Sequence, residues 1–121
     1  IDILNPYVLN FGIVFSIKVK SGADKFATIQ KCTNALASHY EEGFFIGEHF
    51  SVSDIYAKLK SVGGVLDVLK VKVVNKTDTN YSGASIDIDK NTSPDGNMIV
   101  IPKNAIVEIK FPGTDIVGTA R

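Results

Sequence analysis

Ile13-Val14-Phe15-Ser16-Ile17-Lys18-Val19-Lys20-Ser21-Gly22-Ala23-Asp24 is the stretch from which the fold is read. Ile13, Phe15, Ile17 and Val19 alternate with Ser16, Lys18 and Lys20, and a period of two predicts a strand with one wet face. Ser21-Gly22 turns the chain. Ser21-x-x-Asp24 has the form of a capping box, in which short polar side chains satisfy the free N–H groups of a helix start. Phe26, Ile29, Thr33, Leu36 and Tyr40 then recur at three- and four-residue steps, so they share one face of a helix running to about Tyr40.

Working outward, Glu41-Glu42-Gly43 ends that helix, and Phe44-Phe45-Ile46-Gly47 is an apolar run that reads as a brief strand or a buried connector. Ser51-Val52-Ser53-Asp54 is a second capping box. It opens a shorter helix with Ile55, Leu59 and Val62 on one side, stopped by Gly63-Gly64. Val65 to Asn75 predicts a strand with Leu69, Val71 and Val73 on one face and Lys70 and Lys72 on the other. Residues 76–97 are polar and turn-rich. Within them Ile86 and Ile88 alternate with Asp87 and Asp89, and Pro94-Asp95-Gly96 supplies a turn, so 85–101 predicts a hairpin closed by Met98–Ile101. Val107, Ile109 and Phe111 give a last strand over 105–111. Residues 112–121 carry no strong pattern, and Asn5-Pro6 marks 1–10 as a linker.

The order strand, helix, helix, strand, hairpin, strand predicts one α+β domain over 1–121. Two helices pack on one face of a mainly antiparallel sheet, with an additional C-terminal β-hairpin. Residues 11–77 form the β-α-α-β core, 78–111 the hairpin and last strand, and 112–121 a tail. A chain of 121 residues, 45% of them apolar, is long enough for one core and too short for two. It begins at Ile1 without Met, which suggests a piece of something longer.

Charge narrows the function. Thirteen basic and thirteen acidic residues cancel, and the balance holds in each half, six against six in residues 1–60 and seven against seven in 61–121. That is not the basic footprint of a nucleic-acid binder. No apolar run approaches the roughly 20 residues of a membrane span. The single Cys32 has no disulfide partner within the chain.

Catalytic and metal-binding patterns fail on spacing. Cys32 and His39, seven residues apart on one helix, would stand about 10 Å apart, beyond the reach of a nucleophile and its base. His39 and His49, near Glu41, Glu42 and Glu48, show no ligand spacing of a metal site. Asp87-Ile88-Asp89-Lys90-Asn91 resembles the start of a calcium loop, but that loop needs Gly sixth and Glu twelfth, where this chain has Thr92 and Met98. Lys18, Lys20, Lys70 and Lys72 would form a basic stripe if their strands were neighbours, without the same-face aromatics of a sheet that reads single strands. The chain is therefore read as a non-enzyme without cofactor or metal.

Several segments together resemble a known family. Ile13–Lys20 leads to a helix ending near Tyr40. Gly47-Glu48 follows, then the Ser-x-x-Asp helix through Ile55-Tyr56-Ala57-Lys58-Leu59, and Gly63-Gly64-Val65-Leu66-Asp67-Val68. This resembles the C-terminal part of baseplate J-like proteins, the wedge subunits of contractile phage tails and related injection machines. The polar insertion at 76–97 followed by Met98–Phe111 is similar to the wedge subunit of T-even-type phages. The resemblance implies a structural interaction module that helps assemble a ring or wedge of a virion's tail baseplate, present in the host cytoplasm during assembly. Its partners would be copies of itself, in a homo-oligomer, and other baseplate proteins. Candidate contact residues are Phe44, Phe45 and Ile46 in the apolar connector, Ile86 and Ile88 in the hairpin, and Ile116 and Val117 in the tail, which would pair with a neighbour's sheet edge or fray. The alternative is a ligand-binding regulatory module on the same α+β scaffold.

Overall fold

The pattern over Ile13–Lys20 belongs to a longer element. In the computed structural model, which describes residues 7–121, strand β1 runs from Tyr7 to Val19. The expected linker over 1–10 is thus already strand from Tyr7; Asn5-Pro6 lies outside the described residues. Leu9, Phe11, Ile13, Phe15 and Ile17 are all buried on one face, and that face carries the core.

Strand β3 (Val65–Asn75) lies antiparallel to β1, with Val14 opposite Lys72 and Phe15 opposite Val71. Its alternation is broken twice. The register slips between Ser16 and Ile17 and again between Lys18 and Val19, leaving Leu69 and Leu66 as extra residues on β3. Such bulges turn the extra residue out of the ladder, so Leu69, expected in the core beside Val71 and Val73, is exposed. A bulged, lysine-bearing edge also resists unwanted strand pairing.

The other side of β1 is filled in two instalments. Strand β5 (Ala105–Glu108) pairs parallel with Tyr7–Asn10, and β6 (Ile116–Ala120) pairs parallel with Ile13–Ile17. Between them residues 109–115 stand opposite only Phe11 and Gly12, and they take up the slack in the short helix α4 (Pro112–Asp115). The sheet is therefore mixed: its longest ladder is antiparallel and its C-terminal edge parallel. The last strand, expected to run through Phe111, ends at Glu108, and the unpatterned tail supplies β6. Close approach fixes that pairing, because the Phe15 ring lies against Gly118 and a methyl group on Gly118 would overlap it.

Two helices cover the core face, as the two-layer α+β class requires. Helix α1 (Lys25–His39) packs against β6, and α2 (Val52–Lys60) against β3. Asp24 itself, rather than Ser21, caps α1, its carboxylate accepting from Ala27 N–H at 3.2 Å. The buried stripe of α1 is Thr28, Cys32 and Leu36, rotated from the expected one, and Phe26 is 86% exposed. The cause sits at Gly64, whose φ of +96° and missing Cβ let the backbone press against Thr28. Ser51 caps α2 as its motif predicts, accepting from Asp54 N–H, and Ile55 and Leu59 are fully buried.

The hairpin expected over 85–101 shrinks to a single bridge, Thr92 with Ile99. In place of a strand, Ile88–Asn91 forms the helical turn α3. Asp87 caps it by accepting from Lys90 N–H, while Asn91 and Thr92 bond back to Asp87 O and Ile88 O. Short polar side chains that satisfy nearby backbone compete with strand formation. Strand β4 (Met98–Ile99) pairs instead with β2 (Phe50–Ser51), from the middle of the chain. That pairing holds Phe50 in the core.

Candidate functional site: an acid-flanked knob and an open sheet face

The connector after α1 divides its three apolar residues between inside and outside. Phe44 turns in, stacking on Tyr40 (5.4 Å between centroids) and Phe50 (5.6 Å), while Phe11 meets Phe50 edge-on at 5.5 Å. Phe45 and Ile46 turn out and are 81% and 56% exposed. The tip is tied down: Glu48 Oε1 accepts from Phe45 N–H at 2.9 Å, and Gly47 N–H donates to Ala105 O at 2.7 Å. Large apolar side chains on a fastened loop are a surface feature that contact with another molecule would bury. Glu41, Glu42 and Glu48, all exposed, flank the pair.

The second feature is the sheet face away from the helices. Val14 and Val117 stand opposite each other across β1 and β6, 42% and 49% exposed. Lys72 lies across from Val14, Lys70 from Ser16, and Lys18 is exposed farther along the strand. Of the stripe expected from Lys18, Lys20, Lys70 and Lys72, the neighbouring of β1 and β3 brings Lys18, Lys70 and Lys72 to one face, while Lys20 lies past the end of β1.

The remaining expected contact residues lie elsewhere. Ile116 is buried opposite Ile13, and Ile86 and Ile88 are partly buried against the core. The Asn75 side-chain amide clamps Ile86 by bonding both its N–H and its C=O. The tail pairs with β1 of its own sheet. Of the seven residues, Phe45, Ile46 and Val117 present apolar surface.

Polar groups that sequence reasoning passed over close the N-terminal half of the same sheet face. Ser82 N–H donates to Asn10 Oδ1, Asn10 Nδ2 donates to Glu108 Oε1 at 2.8 Å, and Tyr81 OH donates to Asp115 Oδ1 at 2.6 Å. Asp115 is only 1% exposed and also accepts from Phe111 N–H. The bond to Asp115 is the main reason the Tyr81 hydroxyl is pushed up to about 12. Tyr81 and Ser82 belong to the segment that reads as featureless polar loop; only the side chains they find across the fold give them roles.

Of the residues considered for chemistry, His39, His49 and Glu48 line one cleft, and Cys32, Asp87 and Asp89 do not join them. Cys32 is fully buried, and burial pushes its thiol up to about 11, so it holds almost no thiolate near neutrality. His39 packs edge-on against the neighbouring Tyr40 ring (4.8 Å), and His49 Nδ1 accepts from Ile101 N–H. Asp87 and Asp89, expected on a wet strand, lie at the start of α3. Among the described residues, no three Cys, His, Asp or Glu side chains converge as a metal cage would require. One polar atom stands out: the Tyr40 hydroxyl is buried without a hydrogen-bond partner among the described residues, beside a cleft of about 200 Å³ lined by His39, Phe44, Glu48, His49, Ser51 and Asp54. Burial, and secondarily the Asp54 carboxylate, raise the Tyr40 hydroxyl above the ordinary tyrosine range.

No protein-family model matches the chain, and no curated protein matches it.

Proposed function

We propose that the chain is a structural protein–protein interaction module of a contractile-tail baseplate, helping to assemble the ring or wedge of a phage virion. Two things support the reading. One is the resemblance of residues 13–68 to the C-terminal part of baseplate J-like proteins. The other, which carries it, is the fastened Phe45–Ile46 tip, whose exposed apolar surface a partner would cover. In that role the module works by presenting fixed surfaces, and its partners are copies of itself and other baseplate proteins. The test is incorporation. Purified contractile-tail particles should contain the chain in their baseplate fraction, and Phe45→Asp should reduce its incorporation by about tenfold or more, the loss expected of a contact hot spot. Particles that take up the variant normally, or that lack the chain, would refute the reading.

A second reading, a ligand-binding regulatory module, draws on the cleft beside the unpartnered Tyr40 hydroxyl. A small-molecule screen by thermal shift separates the two. A stabilising ligand whose effect Tyr40→Phe abolishes would favour the regulatory module.

A further inference from the structure

The two surface features have opposite charge and matching apolar centres. The tip presents Phe45 and Ile46 among Glu41, Glu42 and Glu48. Glu108, which lines a cleft of about 370 Å³ with Glu41 and Glu42, adds a fourth carboxylate, against Lys103 beside Gly47 and Lys110, which shares a second cleft with Glu41. The open sheet face presents Val14 and Val117 among Lys18, Lys70 and Lys72. Asp67, across from Lys18, is engaged by Lys60 at 4.0 Å, and Asp89 stands near Lys72 at the rim. A chain with no net charge thus carries one acidic and one basic patch, each with an apolar centre.

We propose that these patches meet between copies of the chain: the Phe45–Ile46 tip of one copy seats on the Val14–Val117 face of the next. Charge selects this arrangement over the symmetric ones. Tip against tip would set Glu41, Glu42 and Glu48 against their own copies, and face against face would oppose lysines to lysines, whereas tip on face pairs opposite signs around two apolar centres. Because the two surfaces differ, the contact is heterologous and repeats, closing into a ring or continuing as a filament. The Gly47–Ala105 and Glu48–Phe45 hydrogen bonds hold the tip in shape, so little conformational freedom is lost on docking. The contact deepens the assembly role by naming one of its interfaces. The two can fail apart, since a chain that stays monomeric yet enters baseplates loses this contact and keeps that role.

Charge reversal tests it on the whole chain. Lys70→Glu with Lys72→Glu makes the face acidic, and Glu41→Lys with Glu42→Lys makes the tip basic. Every position is exposed, and circular dichroism should show both double variants folded as the parent. In sedimentation velocity the parent chain should associate as concentration rises, and at least tenfold more weakly in about 0.5 M than in about 0.05 M salt, where screening is slight. Each double variant alone should stay monomeric, because its tip and face then carry the same sign. Mixed, the two should associate again in alternation. A monomeric parent, a double variant that associates alone like the parent, or a mixture that stays monomeric would overturn the proposal.

Discussion

In strand β1, the residues up to Gly12 and those beyond it meet different surroundings: Tyr7–Asn10 pair with β5, and the ladder with β3 begins only at Phe11. Both halves bury odd-numbered side chains, from Leu9 to Ile17, beneath the helix layer. On the opposite face, Asn10 and Gly12 are covered by residues 76–82, the Lys76 stem and the turn at Asp115, whereas Val14 and Lys18 face outward. The first half is walled on both sides and needs specific polar bonds to be so. The second keeps one face free, and that face is an arm of the proposed contact. A single strand can thus serve as frame at one end and as contact surface at the other, depending on what the downstream chain lays over it.

This contrast can be broken by substitution. The largest losses should come from the core face, and equally in both halves. Phe11→Ala and Phe15→Ala should each lower the unfolding free energy by about 3–5 kcal/mol in urea titrations, the usual result of emptying a buried aromatic site. Unequal losses would show that the helix layer covers the halves differently. Next comes Gly12→Val. A Cβ there would lie 2.8 Å from Lys76 Cε and 3.0 Å from Asp115 O, so overpacking should cost about 1–3 kcal/mol. A variant as stable as the parent would mean that residues 76–82 and the Asp115 turn do not wall this face.

The Tyr81–Asp115 bond sharpens the contrast by pH. The Tyr81 hydroxyl sits at about 12 in the folded chain, above the ordinary tyrosine value of about 10. The fold therefore holds that proton more tightly than the unfolded chain does. Its contribution is complete below about pH 10 and is lost as pH rises toward 12. Tyr81→Phe should lower stability at neutral pH by removing a partner of a buried carboxylate and should flatten the alkaline decline. An unchanged alkaline limb would contradict the bond. The smallest effect belongs to the open half: Val14→Thr should stay within about 0.5 kcal/mol, as exposed substitutions do.

Sequence alone made the α+β class legible because its signals are local. Alternation marks β1 and β3, the Ser51 box starts α2, and Gly63-Gly64 stops it. Three features depend on contacts between distant residues and were not legible. The rotation of α1 is set by Gly64 pressing on Thr28, so Phe26 is exposed despite fitting the helical period. Leu69 is turned outward by a register slip that only the pairing with β1 defines. The tail becomes a strand because Gly118 leaves room for Phe15. For the candidate site, the connector was legible as apolar, but the division of Phe44 from Phe45 and Ile46 was not, because it follows from the ring stack with Tyr40 and Phe50. The lysine stripe was legible only conditionally, pending proof that β1 and β3 are neighbours.

The central claim, that the open half of β1 is a contact surface and the closed half a frame, is tested most directly by nuclear magnetic resonance on the whole chain as it is concentrated at low salt. The account predicts amide shift changes at Val14, Ser16, Lys18, Lys70, Lys72 and Val117, together with residues 41–48, and none at Leu9–Gly12. Changes centred on Leu9–Gly12 and residues 76–82, or no changes at any concentration, would contradict it.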